Sequence, residues 1–236
     1  MTIAEHQSVS TACWSCGTPL AAAKAFCDAC GKVQPPAANI DYFAVFDLPR
    51  KLNPDLSALE RSFYKLSRKL HPDVYARASA EEQQWSLDQT SLLNDAYRTL
   101  KNPVSRTEYL LKLEGVNIES ERAEDGSVKQ SRVPADLLEE VFELNMQLEE
   151  MRMTRKMGED DPSLRADLEK AKTQFEAQLH SVDKDLQALW AEWDAALDEK
   201  VSTADTNSVK EKMVALLDRR RYLRNLVRDV NDALGL

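Results

Sequence analysis

Between residues 162 and 199 the chain places Leu164, Leu168, Ala171, Phe175, Leu179, Val182, Leu186, Trp190, Trp193 and Leu197 at helical spacing. Read as one helix, that segment is about 57 Å long at 1.5 Å per residue. A rod with one apolar stripe needs long partners, and the sequence supplies two. Residues 135–157 carry Leu137, Val141, Leu144, Leu148 and Met151, and residues 206–234 carry Val209, Met213, Leu216, Leu223, Val227, Val230 and Leu234. Gly158 with Asp161 and Pro162 breaks the chain before the long helix, and the polar run 202–207 breaks it after. Residues 135–236 are therefore read as an elongated three-helix bundle. With only 6 glycines and 9 prolines in 236 residues, and no strand-rich segment, the fold class is all-α.

All four cysteines lie in the first 30 residues, as Cys13-x2-Cys16 and Cys27-x2-Cys30, each pair followed by a glycine, Gly17 and Gly31. A tight turn at each glycine would bring the thiolates onto one ion. Four thiolates complete a tetrahedral zinc shell and leave no position for water, so the site stabilises a small module and does no hydrolysis. The competing reading is a redox-active CxxC of the thioredoxin kind. It requires a βαβ context that residues 1–39, bounded by Pro35-Pro36, cannot supply. Residues 34–39 and 117–134 lack apolar periodicity and read as linkers.

The intervening residues, 40–116, form a helical module. A short helix around residues 41–46 comes first. Asp55 or Ser57 caps a helix whose Leu59, Phe63, Leu66 and Leu70 make one stripe. That helix stops before Pro72. Ser79 with Glu82 three residues on is a capping box, opening a helix that buries Trp85, Leu92, Leu93, Ala96, Tyr97 and Leu100. Asn102-Pro103 starts another, with Tyr109, Leu110 and Leu113, that ends near Gly115. The two long helices form an antiparallel hairpin with residues 71–78 at its tip. Arg61, Lys65 and Arg68 recur at i, i+4 and i+7 opposite Phe63 and Leu70, with Lys69 beside them, and Asp55 and Glu60 are the only acids on that helix. Pro72 fixes the backbone so that His71 and Asp73 are presented at the tip.

Charge separates the function classes. Residues 1–39 carry 2 basic and 2 acidic groups, 40–115 carry 11 and 11, and 116–236 carry 18 and 27, so the net charge of -9 is C-terminal. An acidic chain is repelled by nucleic acid and by anionic membranes. No apolar run approaches the roughly 20 residues that span a bilayer. The start MTIAEHQSVS has neither a signal-peptide core nor the character of a transit peptide. The reading is a cytoplasmic chain, with the mitochondrial matrix as the alternative. The His71/Asp73 pair invites an acid-base reading, yet no nucleophile, open metal site or glycine-rich phosphate loop accompanies it, so the chain is read as no enzyme.

A basic helix, His71-Pro72-Asp73, a capped antiparallel helix and NDAYRTLKNP resemble the J domain of DnaJ-type co-chaperones. DYFAVFDLP at 41–49, LNDAYRTLKNPVSRTEYLLKLEGV at 93–116, LLEEVFELNMQLEE at 137–150 and RRYLRNL at 220–226 resemble, more narrowly, the HscB-type J proteins of iron-sulfur cluster assembly. The two cysteine pairs resemble the zinc-bearing extension of some members. The resemblance implies four segments: a tetracysteine zinc module with linker at 1–39, a J domain at 40–116, a linker at 117–134, and a scaffold-binding bundle at 135–236.

The resemblance further implies that His71, Pro72 and Asp73 trigger ATP hydrolysis by a DnaK-type chaperone, and that Arg61, Lys65, Arg68 and Lys69 meet its acidic surface. An IscU-type scaffold would dock on Leu138 and Phe142, with Tyr222 from the last helix. Glu139 departs from the pattern, standing where relatives commonly place an apolar residue. Leu138, Phe142 and Met146 form a row beside the core stripe of their helix, and two readings are open: a helix touching two neighbours needs a wide apolar face, or the row is a docking patch. Arg219, Arg220, Arg221 and Arg224 either reach scaffold carboxylates or complement acids on the bundle. The zinc module is also a candidate for self-association. Two readings from other classes compete: a zinc-ribbon nucleic-acid module, which the zero net charge of 1–39 disfavours, and a thiol oxidoreductase.

Overall fold

The computed structural model describes residues 12–20, 24–37, 40–116, 134–159, 161–199 and 203–236. It is all-α, with no strand among the described residues, and of the linker expected at 117–134 all but Pro134 lies outside them. The chain divides into two compact units, Met1–Leu113 and Glu114–Leu236.

In the first unit, Asp41 caps the short helix α1, Tyr42–Val45. Asp55 caps α2, Leu56–Leu70, by accepting from the Ala58 amide. A short 3-10 turn, Pro72–Tyr75, leads to α3, Ala80–Lys101, which opens with the expected capping box. Asn102 Oδ1 accepts from the amides of Val104 and Ser105, both at 3.0 Å, and starts α4, Pro103–Leu113. Phe43, Leu52, Leu59, Leu70, Leu93, Ala96, Leu100, Leu110 and Leu111 fill the core. Each such Leu or Phe contributes about 1.5–3 kcal/mol on burial. Phe63 stacks on Tyr97 at 4.0 Å between centroids, so these two and Leu66 stay half-buried at the edge of the hairpin.

The α3 seam departs from expectation. It runs Glu82, Ser86, Gln89, Leu93, Ala96, Leu100, polar in its first half, while Trp85 and Leu92 are only half-buried. Each polar member has a partner, which is what makes its burial tolerable. Ser86 Oγ donates to the Leu70 carbonyl at 2.6 Å and Gln89 Nε2 to the Gln34 carbonyl at 3.0 Å. Arg106 is also buried, its Nε donating to the Leu52 carbonyl at 3.0 Å and its guanidinium reaching the Leu100 carbonyl.

Among its described residues the second unit holds three helices: α5, Leu138–Met157, preceded by a 3-10 turn at Ala135–Leu137; α6, Pro162–Glu199; and α7, Thr203–Leu234. Gly158 ends α5 in the left-handed conformation, φ 75°, with its amide donating to the Arg155 carbonyl at 3.1 Å. Asp161 Oδ1 then accepts from the Ser163 and Leu164 amides and starts α6. Leu137, Val141, Leu144, Leu148 and Met151 bury as expected, against Leu168, Phe175, Val182, Leu186, Trp190 and Trp193 of α6 and Val209, Met213, Leu223, Val230 and Leu234 of α7. Leu217 and Leu226 take core places expected of Leu216 and Val227, which are half-buried one residue away, and Leu197 is exposed near the end of α6. Arg220 Nε reaches Asp183 Oδ1 at 2.6 Å, and Arg219 reaches Asp136 Oδ2 at 2.6 Å. Both arginines therefore complement acids on the bundle. No helix among the described residues is long and apolar enough to cross a membrane.

Arg106→Met keeps the side-chain stem but removes the donors to two buried carbonyls, and is expected to lower the unfolding free energy by about 2–4 kcal/mol. Urea titration followed on α3 and α4 resonances measures it.

Candidate functional site

The four cysteine sulfurs lie within 4.8 Å of one another. Cys13 Sγ is 3.7 Å from Cys30 Sγ, and Cys16 Sγ is 3.7 Å from Cys27 Sγ. Sulfurs 2.3 Å from a common tetrahedral ion stand about 3.8 Å apart, so the cluster has the spacing of a four-thiolate metal site. None of the four is in a disulfide. The two knuckles are built alike. Gly17 and Gly31 take φ 71° and 72°, and their amides donate to the Cys13 and Cys27 carbonyls, each at 2.9 Å. Isolated antiparallel bridges, Ala12 with Pro19 and Phe26 with Val33, close the two turns. Cys13 and Cys27 are buried while Cys16 and Cys30 are exposed. The Thr18 side chain and then its amide hold the Cys16 thiol down, to about 6. The donor set fits one soft divalent ion and leaves no open coordination position.

The second cluster is at the tip of the α2/α3 hairpin. His71 ends α2 with ψ 130°, turned out of the helix by Pro72. The Asp73 amide donates to His71 Nδ1 at 3.3 Å, and Asp73 Oδ2 is 3.4 Å from the same nitrogen. The two side chains are 57% and 91% exposed, so both are presented to solvent at the tip. On α2, Arg61, Lys65, Arg68 and Lys69 are all exposed. Arg61 lies 3.9 Å from Asp55, and Lys69 Nζ sits 5.7 Å from the Phe26 ring centroid. The sequence-predicted basic face therefore exists as a solvent-facing row beside the tip.

The third feature is on α5. Leu138, Phe142 and Met146 are exposed, and Met153 and Met157 continue the same line. At 100° per residue these five span about 100° of the helix, with their centre about 150° from the centre of the buried seam. The row is thus not the widened core face of a helix touching two neighbours. It is a second apolar face turned away from the seam. Glu139 is exposed on its edge, and Tyr222 on α7 is half-buried.

Sequence reasoning missed the residues that tie the cysteine module to the helices. Lys32 Nζ lies 2.8 Å from Glu82 Oε1, Trp14 packs on Trp85 at 5.3 Å, and buried Gln34 accepts from Gln89. The spacing of 82, 85, 86 and 89 was the available signal, one face of α3, masked by its polar composition. Residues 34–39 were read as a linker, and buried Gln34 is a contact within the first unit.

No family model matches the chain. It is similar to the iron-sulfur cluster co-chaperone protein HscB of Mus musculus, 32% identical over 166 residues, covering 69% of this chain and 68% of the mouse protein. The Homo sapiens HscB is 34% identical over 157 residues, 65% of this chain and 64% of the human protein. An HscB homolog of Arabidopsis thaliana is 38% identical over 109 residues, 46% of this chain and 42% of the plant protein. Among solved structures, human HscB superimposes with a TM-score of 0.63 at 24% identity, over 96% of this chain and 100% of that one. HscB from Vibrio cholerae gives 0.52 at 24% identity, over 82% and 96%. These structures support the fold.

The tetracysteine geometry predicts one metal ion per chain. Reconstitution with cobalt is expected to give the visible absorption of a tetrahedral thiolate complex, and Cys13→Ser or Cys27→Ser to bring bound metal well below one equivalent, measured by elemental analysis.

Proposed function

The chain belongs to the HscB family of iron-sulfur cluster co-chaperones, and we propose that it acts as an adapter that brings an IscU-type scaffold to a DnaK-type chaperone and stimulates that chaperone's ATPase. The observation that carries this reading is the presented His71-Pro72-Asp73 turn at the end of a helix with an exposed basic row. In this reading residues 40–116 are the J domain. His71 and Asp73 engage the chaperone's ATPase domain, while Arg61, Lys65, Arg68 and Lys69 steer the encounter with an acidic surface. Such steering acts mainly on the association rate and weakens with salt. The ATP site belongs to the partner, and this chain catalyses nothing itself.

The bundle, residues 135–236, takes the scaffold on the outward face of α5, with Leu138 and Phe142 as anchors and Tyr222 beside them. An apolar row of this length turned away from the core supports docking rather than packing. The ion in the tetracysteine module, residues 1–39, is zinc, bound by Cys13, Cys16, Cys27 and Cys30. It supplies fold stability there and no chemistry. Four thiols held as ligands suit a reducing compartment, the cytoplasm in this reading.

The test is the ATPase rate of the cognate chaperone with scaffold, measured with and without this protein. Wild type is expected to accelerate it and His71→Gln to lose most of that acceleration; a His71→Gln protein as active as wild type sinks the reading. Leu138→Ala and Phe142→Ala are each expected to cost about 1–2 kcal/mol of scaffold affinity by calorimetry while leaving scaffold-free stimulation in place.

A further inference from the structure

One face of α3 serves two masters. Ser86 Oγ and Thr90 Oγ1 donate to the Leu70 carbonyl, at 2.6 and 3.2 Å, and so fix the last residue before His71. Interleaved with them, Glu82, Trp85 and Gln89 receive the cysteine module through Lys32, Trp14 and Gln34. Glu82 joins the two sets. Its Oε1 meets Lys32, two residues beyond Cys30, and its Oε2 accepts from the Ser79 amide at 3.4 Å, closing the capping box in which Ser79 Oγ accepts from the Glu82 amide at 3.2 Å. Ser79 is the first residue of α3's cap and follows the tip directly. The Glu82 side chain is only 9% exposed, so its charge depends on Lys32 for compensation.

Lys32 is itself held by the metal knuckle, its carbonyl accepting from the Cys27 amide at 2.9 Å. A two-knuckle module this small keeps its shape through the ion. Without the ion, Lys32, Trp14 and Gln34 lose their placement, and Glu82 is left a shielded carboxylate with no cation. Lys69, whose ammonium rests over the Phe26 ring, is released at the same time.

We propose that the metal-loaded tetracysteine module braces the His71-Pro72-Asp73 turn through the Lys32–Glu82 ion pair, with Glu82 a positioning residue, so that metal occupancy sets how well the turn engages the chaperone. This rests on the reading of that turn as the chaperone trigger.

The experiment is hydrogen exchange on the full-length protein, metal-loaded and after chelation, comparing peptides over residues 71–82 with α6 and α7 peptides as the folding control. Chelation is expected to speed exchange over 71–82 by about tenfold or more and to raise the chaperone dissociation constant several-fold, with α6 and α7 unchanged. Lys32→Ala is expected to reproduce both effects with metal content still at one equivalent, and Lys32→Arg, which keeps the cation, to restore them. Unchanged exchange over 71–82 on chelation overturns the brace and leaves the proposed function standing. Unchanged exchange in a metal-loaded Lys32→Ala protein overturns the ion pair as its route. A brace that responds as expected in a wild-type protein that never stimulates the ATPase supports the brace and removes the trigger reading instead.

Discussion

The carbonyl of Leu70 is the point on which the first unit turns. Pro72 has no amide hydrogen and cannot continue α2, so the helix ends with acceptors that have no partner in its own backbone. Ser86 and Thr90 both spend their hydroxyls there, which pins the end of one helix against the side of the next. Pro72 turns His71 out of the helix axis, and the contact at Leu70 holds the end of α2 against α3 beside that turn. The exposed turn therefore stands directly beside a buried, doubly satisfied acceptor.

The same contact explains what could be read in advance and what could not. Helix ends were legible because their chemistry is local: Asp55, Ser79, Asn102, Gly158 and Asp161 each cap within three or four residues of themselves. The α5 seam was legible because Val141, Leu144, Leu148 and Met151 are apolar at the right spacing. Glu82, Ser86 and Gln89 occupy the same kind of register in α3 but are polar, and their burial is favourable only because Lys32, Leu70 and Gln34 arrive from elsewhere in the chain. No local pattern carries that information. The cysteine spacing was enough to expect the four sulfurs in one cluster, yet not the surface that the module rests on.

Periodicity also understated α5. Leu138, Phe142 and Met146 look like neighbours of the seam when counted along the sequence. At 100° per residue their centre already lies about 140° from that of the seam, and Met153 and Met157 lengthen the same face. Methionine suits such a face, since its unbranched thioether side chain adapts to the contours of whatever covers it.

That outward face carries a cost in the absence of a partner: molecules that expose a long apolar line tend to stick to one another. Residues 116–236 carry 27 acidic against 18 basic groups, and the whole surplus of the chain is there. Mutual repulsion of like-charged bundles opposes collision of two such faces, while a neutral or basic partner surface approaches freely. The acidity of the bundle thus works as a colloidal safeguard, a like-charge repulsion that opposes contact between two such faces.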